Sequence, residues 1–230
     1  MPEPSPLGPE EAAKRLAAVR QRIELAASKA GRDPNSVTLL AVSKTFPAEA
    51  VKVFGQAGQK AFGESYIQEA REKIPLLGPG YEWHYIGHLQ TNKAKYAAGL
   101  FSVLHSLDNL ELAAELDKRL ERLERTLSVY VQVNVSGEDT KSGLTPADLP
   151  PFLDSLANFK RLVPLGLMTM PPYDPDPEVS RPHFAALRQL RDRAAPHLPS
   201  LSMGMSDDFE VAIDEGATAV RVGTALFGRR

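Results

Sequence analysis

Cysteine is absent from the 230 residues, which removes disulfides, thiolate metal sites and cysteine nucleophiles together. Excess charge is missing too. A formal net charge of -2 and a pI near 6.2 leave no electrostatic footprint for nucleic acid or an anionic membrane. No apolar run approaches the length of a bilayer span, and Met1-Pro2-Glu3-Pro4-Ser5 has no basic region followed by an apolar one. A cytoplasmic protein with no membrane partner is therefore expected. The chain also lacks the nucleotide fingerprints G-x-G-x-x-G and G-x-x-x-x-G-K-[ST], and the G-x-S-x-G elbow of many hydrolases.

What the chain does contain is apolar side chains, 43% of the total, ample for a substantial core in one large α/β domain or two small ones. Nineteen prolines, mostly in connections, suit a heat-stable protein when combined with the missing cysteine. Pro9 opens a helix with Glu10 and Glu11 in its first turn, Leu16, Val19, Ile23 and Ala27 along one face, and Gly31 just past its end. The nearly unbroken apolar run from Val37 then reads as a buried strand whose last residue is Lys44. Strand signals recur at 60–62, 83–86, 101–105, 128–135, 162–168, 200–203 and 218–222. Between them lie helical stretches at 47–57, 65–73, 90–98, 108–125 (capped by Asp108), from near Pro146, 178–195 and 207–215. In 128–135 four valines alternate with Ser128, Tyr130, Gln132 and Asn134, so one face of that strand is polar.

Eight strands, each followed by a helical segment, are the signature of a (β/α)8 TIM-type barrel. Residues 1–230 are accordingly read as one barrel domain with an extra N-terminal helix. An open doubly wound sheet is the alternative, but eight regular units close more naturally than they splay. The eighth helix is short, and the N-terminal helix is expected to cover the barrel there.

In such a barrel, chemistry gathers at the C-terminal ends of the strands, and phosphate is often held by the loops after strands seven and eight. Strand one ends at Lys44. A lysine there either snorkels to water or is held in a site, where a desolvated amine becomes a nucleophile toward aldehydes and ketones. Strands seven and eight run into Gly204-Met205-Ser206 and Gly223-Thr224. The glycines allow close backbone approach, and Ser206 and Thr224 offer hydroxyls at helix starts whose free N–H groups favour an anion. The same hydroxyls also read as ordinary caps, and Asp207 and Asp208 would repel a phosphate unless turned to solvent. Arg221 points either outward beneath the helices or into the barrel mouth, where its partner would be a carboxylate or a cofactor ring nitrogen. His84 and His88 have the spacing of helical zinc ligands, but in an extended segment four residues span about 13 Å. One metal could not reach both, and no metal is expected.

Five blocks in order, Ala41 to Thr45, Gly63 to Glu69, Trp83 to Lys93, Leu201 to Ser206 and Val220 to Thr224, resemble the pyridoxal-phosphate homeostasis protein family. That family looks like the N-terminal barrel of alanine racemase without the C-terminal β-domain. The resemblance implies pyridoxal 5'-phosphate held as a covalent aldimine on Lys44, with Arg221 facing the pyridine nitrogen and Ser206, Gly223 and Thr224 holding the phosphate. It further implies no established catalytic turnover and a part in vitamin B6 and amino-acid homeostasis, by storing, buffering or transferring the cofactor. Pyridoxal-phosphate-dependent apoenzymes would then be its acceptors, and a monomer is expected. The family usually has asparagine where this chain has Ser65. Tyr85, Gln90, Asn92 and Lys93 read either as shaping the mouth or binding a partner, or as a capped helix start with a solvated face.

The rival function is a pyridoxal-phosphate-dependent amino-acid racemase. Racemisation needs one acid/base group on each face of the substrate carbon, Lys44 serves only one, and a chain ending at Arg230 is expected to have no domain for the other. A Schiff-base aldolase without cofactor would need carboxylates near Lys44, for which Glu64 is the candidate.

Overall fold

Pro9 starts helix α1 (Pro9–Lys29) as expected, and the stripe Ala12, Leu16, Val19, Ile23 and Ala27 is buried along its length. The computed structural model describes residues 7–138 and 140–228; the N-terminal pentapeptide and Arg230 lie outside them. Strand and helix then alternate: β1 (Thr38–Val42), α2 (Ala48–Gln56), β2 (Ala61–Glu64), α3 (Ile67–Lys73), β3 (Glu82–Tyr85), α4 (Ala94–Leu100), β4 (Val103–Leu107) and α5 (Leu110–Arg122). The second half repeats the pattern with β5 (Leu127–Gln132), α6 (Leu149–Leu156), β6 (Leu162–Met168), α7 (Arg181–Ala194), β7 (Ser200–Ser202), α8 (Phe209–Asp214), β8 (Ala219–Val222) and α9 (Thr224–Phe227). Every neighbouring pair is parallel, and β8 returns to β1 with Leu40 opposite Arg221, so the sheet is a closed barrel in sequence order. This is the (β/α)8 barrel read from the sequence.

Closure divides the apolar residues into two layers. Val129 and Val131 of β5, and Val133 just beyond it, belong to the large cluster that also contains Leu112, Leu116 and Phe152 of the surrounding helices. Tyr130, from the alternate face, packs instead with Val103 and Met168 in a small separate cluster. The polar face of β5 therefore looks into the barrel.

α9 is a single turn, and α1 covers the seam beside it. Arg15 Nη1 donates to the Leu226 carbonyl at 3.2 Å, and Arg22 pairs with Glu210 at 2.6 Å while lying over the Phe209 ring. Phe227 is wedged between the rings of Phe46 and Phe54, with centroids 5.0 and 4.6 Å away. Several boundaries differ from expectation. Asn109, not Asp108, caps α5, because Asn109 has the extended backbone of a cap and its side chain accepts from Leu112 N at 2.8 Å. The stretches at 90–98 and 178–195 each begin with a 3-10 turn, Thr91–Lys93 and Pro177–Ser180, before the α-helix.

Candidate functional site

β1 ends at Val42, so Lys44 is not the last strand residue but sits in a tight turn two residues beyond it. Phe46 N donates to Ser43 O at 3.1 Å, closing a four-residue turn with Lys44 at its first corner and Thr45, at φ +66°, at its second. This is the arrangement of a type II turn, which usually places glycine where Thr45 stands. The turn brings Lys44 to the wall of a cavity of about 590 Å³ at the C-terminal end of the barrel. Ser206, Arg221, Gly223 and Thr224 line the same cavity, as do Ser65, Gln132, Met168 and Asp207. Lys44, Ser206, Arg221, Gly223 and Thr224 thus line one cavity.

Their roles divide differently from the expectation of free helix-end N–H groups. Ser206 Oγ accepts from Gly223 N at 3.2 Å and Ala225 N at 3.3 Å, joining the loops after β7 and β8. With both lone pairs engaged, its own O–H remains as a donor. Ser206 does not cap α8. Asp208 holds that position, buried, with Oδ1 accepting from Met205 N at 2.6 Å. Its neighbour Asp207 is exposed at the cavity rim, so one of the two acids is turned away from the mouth and the other reaches solvent. Gly204, at φ +91°, packs against α8 so closely that a Cβ would lie 2.6 Å from Ala212 Cβ. Gly223 has ordinary space and lines the mouth, with its N–H engaged by Ser206 and its carbonyl by Leu226 N and Phe227 N.

Arg221 points inward. It is 4% exposed, and its protein partners are neutral oxygens rather than a carboxylate: Nη1 donates to Ser202 Oγ at 2.7 Å and Nη2 to the Thr169 carbonyl at 2.9 Å. Burial lowers its pKa to about 10, which still leaves it charged at neutral pH. A guanidinium has five N–H donors and these bonds use two, so others remain for the cavity that it lines.

Residues 15–230 match the family model described as alanine racemase, N-terminal domain. A relative from Aquifex aeolicus named pyridoxal phosphate homeostasis protein is 46% identical over 224 residues, covering 95% of this chain and 98% of its own. The chain belongs to the pyridoxal phosphate homeostasis protein family. Among solved structures, PipY of Synechococcus elongatus with PLP bound is 38% identical with a TM-score of 0.82, over 94% of this chain and 100% of PipY. Alanine racemase from Corynebacterium glutamicum shares the fold, with a TM-score of 0.70 at 19% identity over 94% of this chain and 62% of the racemase.

In this homeostasis-family barrel Ile86, Gly87 and His88 of the Trp83 to Lys93 motif line the mouth, whereas Gln90, Asn92 and Lys93 are exposed outside its lining. Tyr85, whose phenol burial pushes up to about 12, donates to the carbonyls of Ser65 at 3.0 Å and His88 at 3.3 Å. Ser106 Oγ donates to Gly87 O at 2.6 Å. A Cβ on Gly87 would lie 2.3 Å from Ser65 O, so only glycine lets the loops after β2 and β3 meet. Ser65 meets the mouth beside them. His88 lines the cavity, whereas His84 turns into the barrel.

A polar line crosses the barrel interior that the sequence did not reveal. Ser202 Oγ is 2.8 Å from His105 Nδ1, and His105 Nε2 is 2.9 Å from His84 Nδ1. His84 Nε2 has no well-formed hydrogen bond, but Glu82 Oε1 stands 3.4 Å away near the barrel floor. Direction follows from the ends. If each group donates to the next from Arg221 to Glu82, every hydrogen has an acceptor; the reverse leaves the Ser202 hydroxyl without one and a bare His84 nitrogen facing a carboxylate. His105 is then neutral, with its proton on Nε2. His105 is fully buried and stacks on Tyr130 at 4.5 Å; burial, then His84 and Arg221, hold its pKa well below the usual histidine range.

Because the folded state keeps His105 neutral while the unfolded chain takes up a proton below about pH 6.5, its contribution is present above that pH and lost as pH falls. Acidification from pH 7 to 5 should cost stability with a limiting slope of about 1.4 kcal/mol per pH unit below pH 6.5. Urea titrations of wild type and His105→Gln across this range check it; an equal slope in both would exclude His105 as the source.

Proposed function

We propose that this protein binds pyridoxal 5'-phosphate at the barrel mouth and stores, buffers or transfers it, without catalytic turnover of its own. The observation that carries this reading is the common cavity wall of Lys44, Ser206, Arg221, Gly223 and Thr224, which reach it from strand ends at opposite ends of the chain. The PLP-bound relative and the name of the Aquifex relative support the same cofactor. When bound, the cofactor would supply an aldehyde, and Lys44 Nζ is the amine that would hold it through its carbon. Ser206 O–H and Thr224 are the donors for its phosphate, and Gly223, with no side chain, leaves room for it beside them; Thr224 is exposed, which suits a phosphate end that faces solvent.

Arg221 is suited to face the ring nitrogen because it can donate a hydrogen bond there without giving up its proton. A pyridine nitrogen so held stays unprotonated and makes the ring a poor electron sink. That favours holding the cofactor over transforming amino acids with it. The mouth is reachable by a free amine or by an acceptor apoenzyme, to which we propose the cofactor is passed.

The test is the absorption spectrum of purified protein loaded with pyridoxal phosphate, before and after borohydride, together with Ser206→Ala and Thr224→Ala in equilibrium dialysis. Each substitution should weaken retention by about 1 to 2 kcal/mol, the loss of one hydrogen bond to a charged phosphate. Unchanged affinity in both would leave those hydroxyls with structural duties alone.

A further inference from the structure

The turn that carries Lys44 is gripped from behind by three charged side chains that the cofactor reading does not use. Lys73 of α3 is 5% exposed and Glu64 of β2 is fully buried, yet both are charged residue types. Lys73 Nζ contacts Glu64 Oε1 at 2.7 Å, Glu69 Oε1 at 2.5 Å and the carbonyl of Ser43 at 2.9 Å. Ser43 Oγ donates to Glu64 Oε1 at 2.7 Å, and Thr45 N donates to Glu69 Oε1 at 2.6 Å. The residues before and after Lys44 are therefore each tied to the same buried cluster.

One of these bonds has a specific consequence. Type I and type II turns differ by a flip of the central peptide, here the one joining Lys44 to Thr45, which changes ψ of the first corner residue by about 150°. The flip reverses the direction of the Thr45 N–H. Glu69 accepts that N–H in the type II direction. Thr45 is β-branched and stands at φ +66°, a conformation such residues avoid unless their surroundings impose it. Left to itself, this turn would relax toward type I.

We propose that Glu69, held by Lys73 and through it by Glu64, selects the type II turn and so sets the direction in which Lys44 leaves the backbone toward the mouth. These are positioning residues; none is assigned contact with the cofactor. The proposal rests on the reading of Lys44 as the cofactor's covalent anchor, and its consequence is that the link weakens when the turn is released even though the amine is intact.

Two measurements test it, one of them independent of cofactor. In the protein without added cofactor, Glu69→Ala should raise the exchange rate of the Thr45 amide hydrogen at least tenfold, with the folded spectrum otherwise retained. In protein loaded with pyridoxal phosphate, Glu69→Ala should lower the share of bound cofactor that borohydride fixes on Lys44 at least fivefold, as read from peptide mass. Thr45→Gly placed on Glu69→Ala should restore that share to within twofold of wild type, because glycine adopts the second corner of a type II turn without strain. Arg22→Ala, which breaks a pair on the far side of α1, should leave it unchanged. Slow Thr45 exchange in Glu69→Ala, or a fixed share equal to wild type, would overturn the proposal. So would failure of glycine to rescue, since a cluster that merely stabilises the fold would not be replaced by removing a side chain at position 45. Absence of label on Lys44 in wild type would bring down the cofactor reading instead, and that arm is separate from the exchange measurement.

Discussion

Lys44→Ala is expected to lose the visible absorbance of the loaded protein and all borohydride-fixed mass on the peptide that carried the lysine. Ser206, Gly223, Thr224 and Arg221 remain in this variant, so cofactor should still bind, but at least about a hundredfold more weakly, or ~3 kcal/mol. The effect is large because the covalent link concentrates the aldehyde against the rest of the site, and no other amine is among the cavity's lining residues. Spectra, peptide mass and equilibrium dialysis on the variant check the three parts separately. Surviving absorbance, or label on Lys93 or Lys141 in the wild type, would move the anchor elsewhere.

Gly166→Ala is expected to be the most destabilising single-methyl change among the strand glycines. Gly166 of β6 lies opposite Tyr130 on one side and Ser200 on the other. A Cβ there would stand 1.8 Å from Ser200 O and 2.5 Å from its carbonyl carbon. Backbone cannot rotate out of the way as a side chain can, so β6 and β7 would have to part. The displaced strand is the one that carries Ser202, the partner of Arg221. A loss of about 3 kcal/mol or more is anticipated, which for a chain of this size is a fall in Tm on the order of 6–12 °C. Gly63→Ala is the comparison: its Cβ would meet the end of the Leu40 side chain at 3.1 Å, which can shift, so a smaller loss is expected. Equal melting of Gly166→Ala and wild type would contradict the argument.

Much of the site was legible before any coordinates. A lysine closing an apolar strand, and small hydroxyl-bearing turns after the seventh and eighth strands, are local patterns whose meaning follows from where barrels place their strand ends. The five blocks added the cofactor. The structure differs from the sequence reading at element ends. Asp108 and Asn109 can both cap, and the choice went to Asn109, whose backbone is extended at φ -151° and ψ 151°. Of the two readings of Ser206, cap or ligand donor, the capping one does not hold: Asp208 stands at the N-cap position of α8, and Ser206 bridges two loops. The apolar neighbours of Lys44 read as strand, but a bond from Phe46 N back to Ser43 O turns the chain after Val42.

The alternation in β5 showed by itself that Tyr130 and Gln132 share a face opposite the valines, since a strand's side chains alternate with period two. Periodicity does not say which face is inside. That was decided by closure, which set Tyr130 against His105 and put the valines beneath the helices. By the same rule the sequence determined the barrel class, the order of its units and the strand ends at which Lys44, Ser206 and Thr224 appear, because each depends on residues within one or two turns of chain. Only the tertiary structure joined Ser202 to His105 and His84, and Lys73 and Glu69 to the turn around Lys44. Those bonds link different strands or span the turn from a neighbouring helix, and their register depends on the closure of all eight strands, which no local pattern encodes.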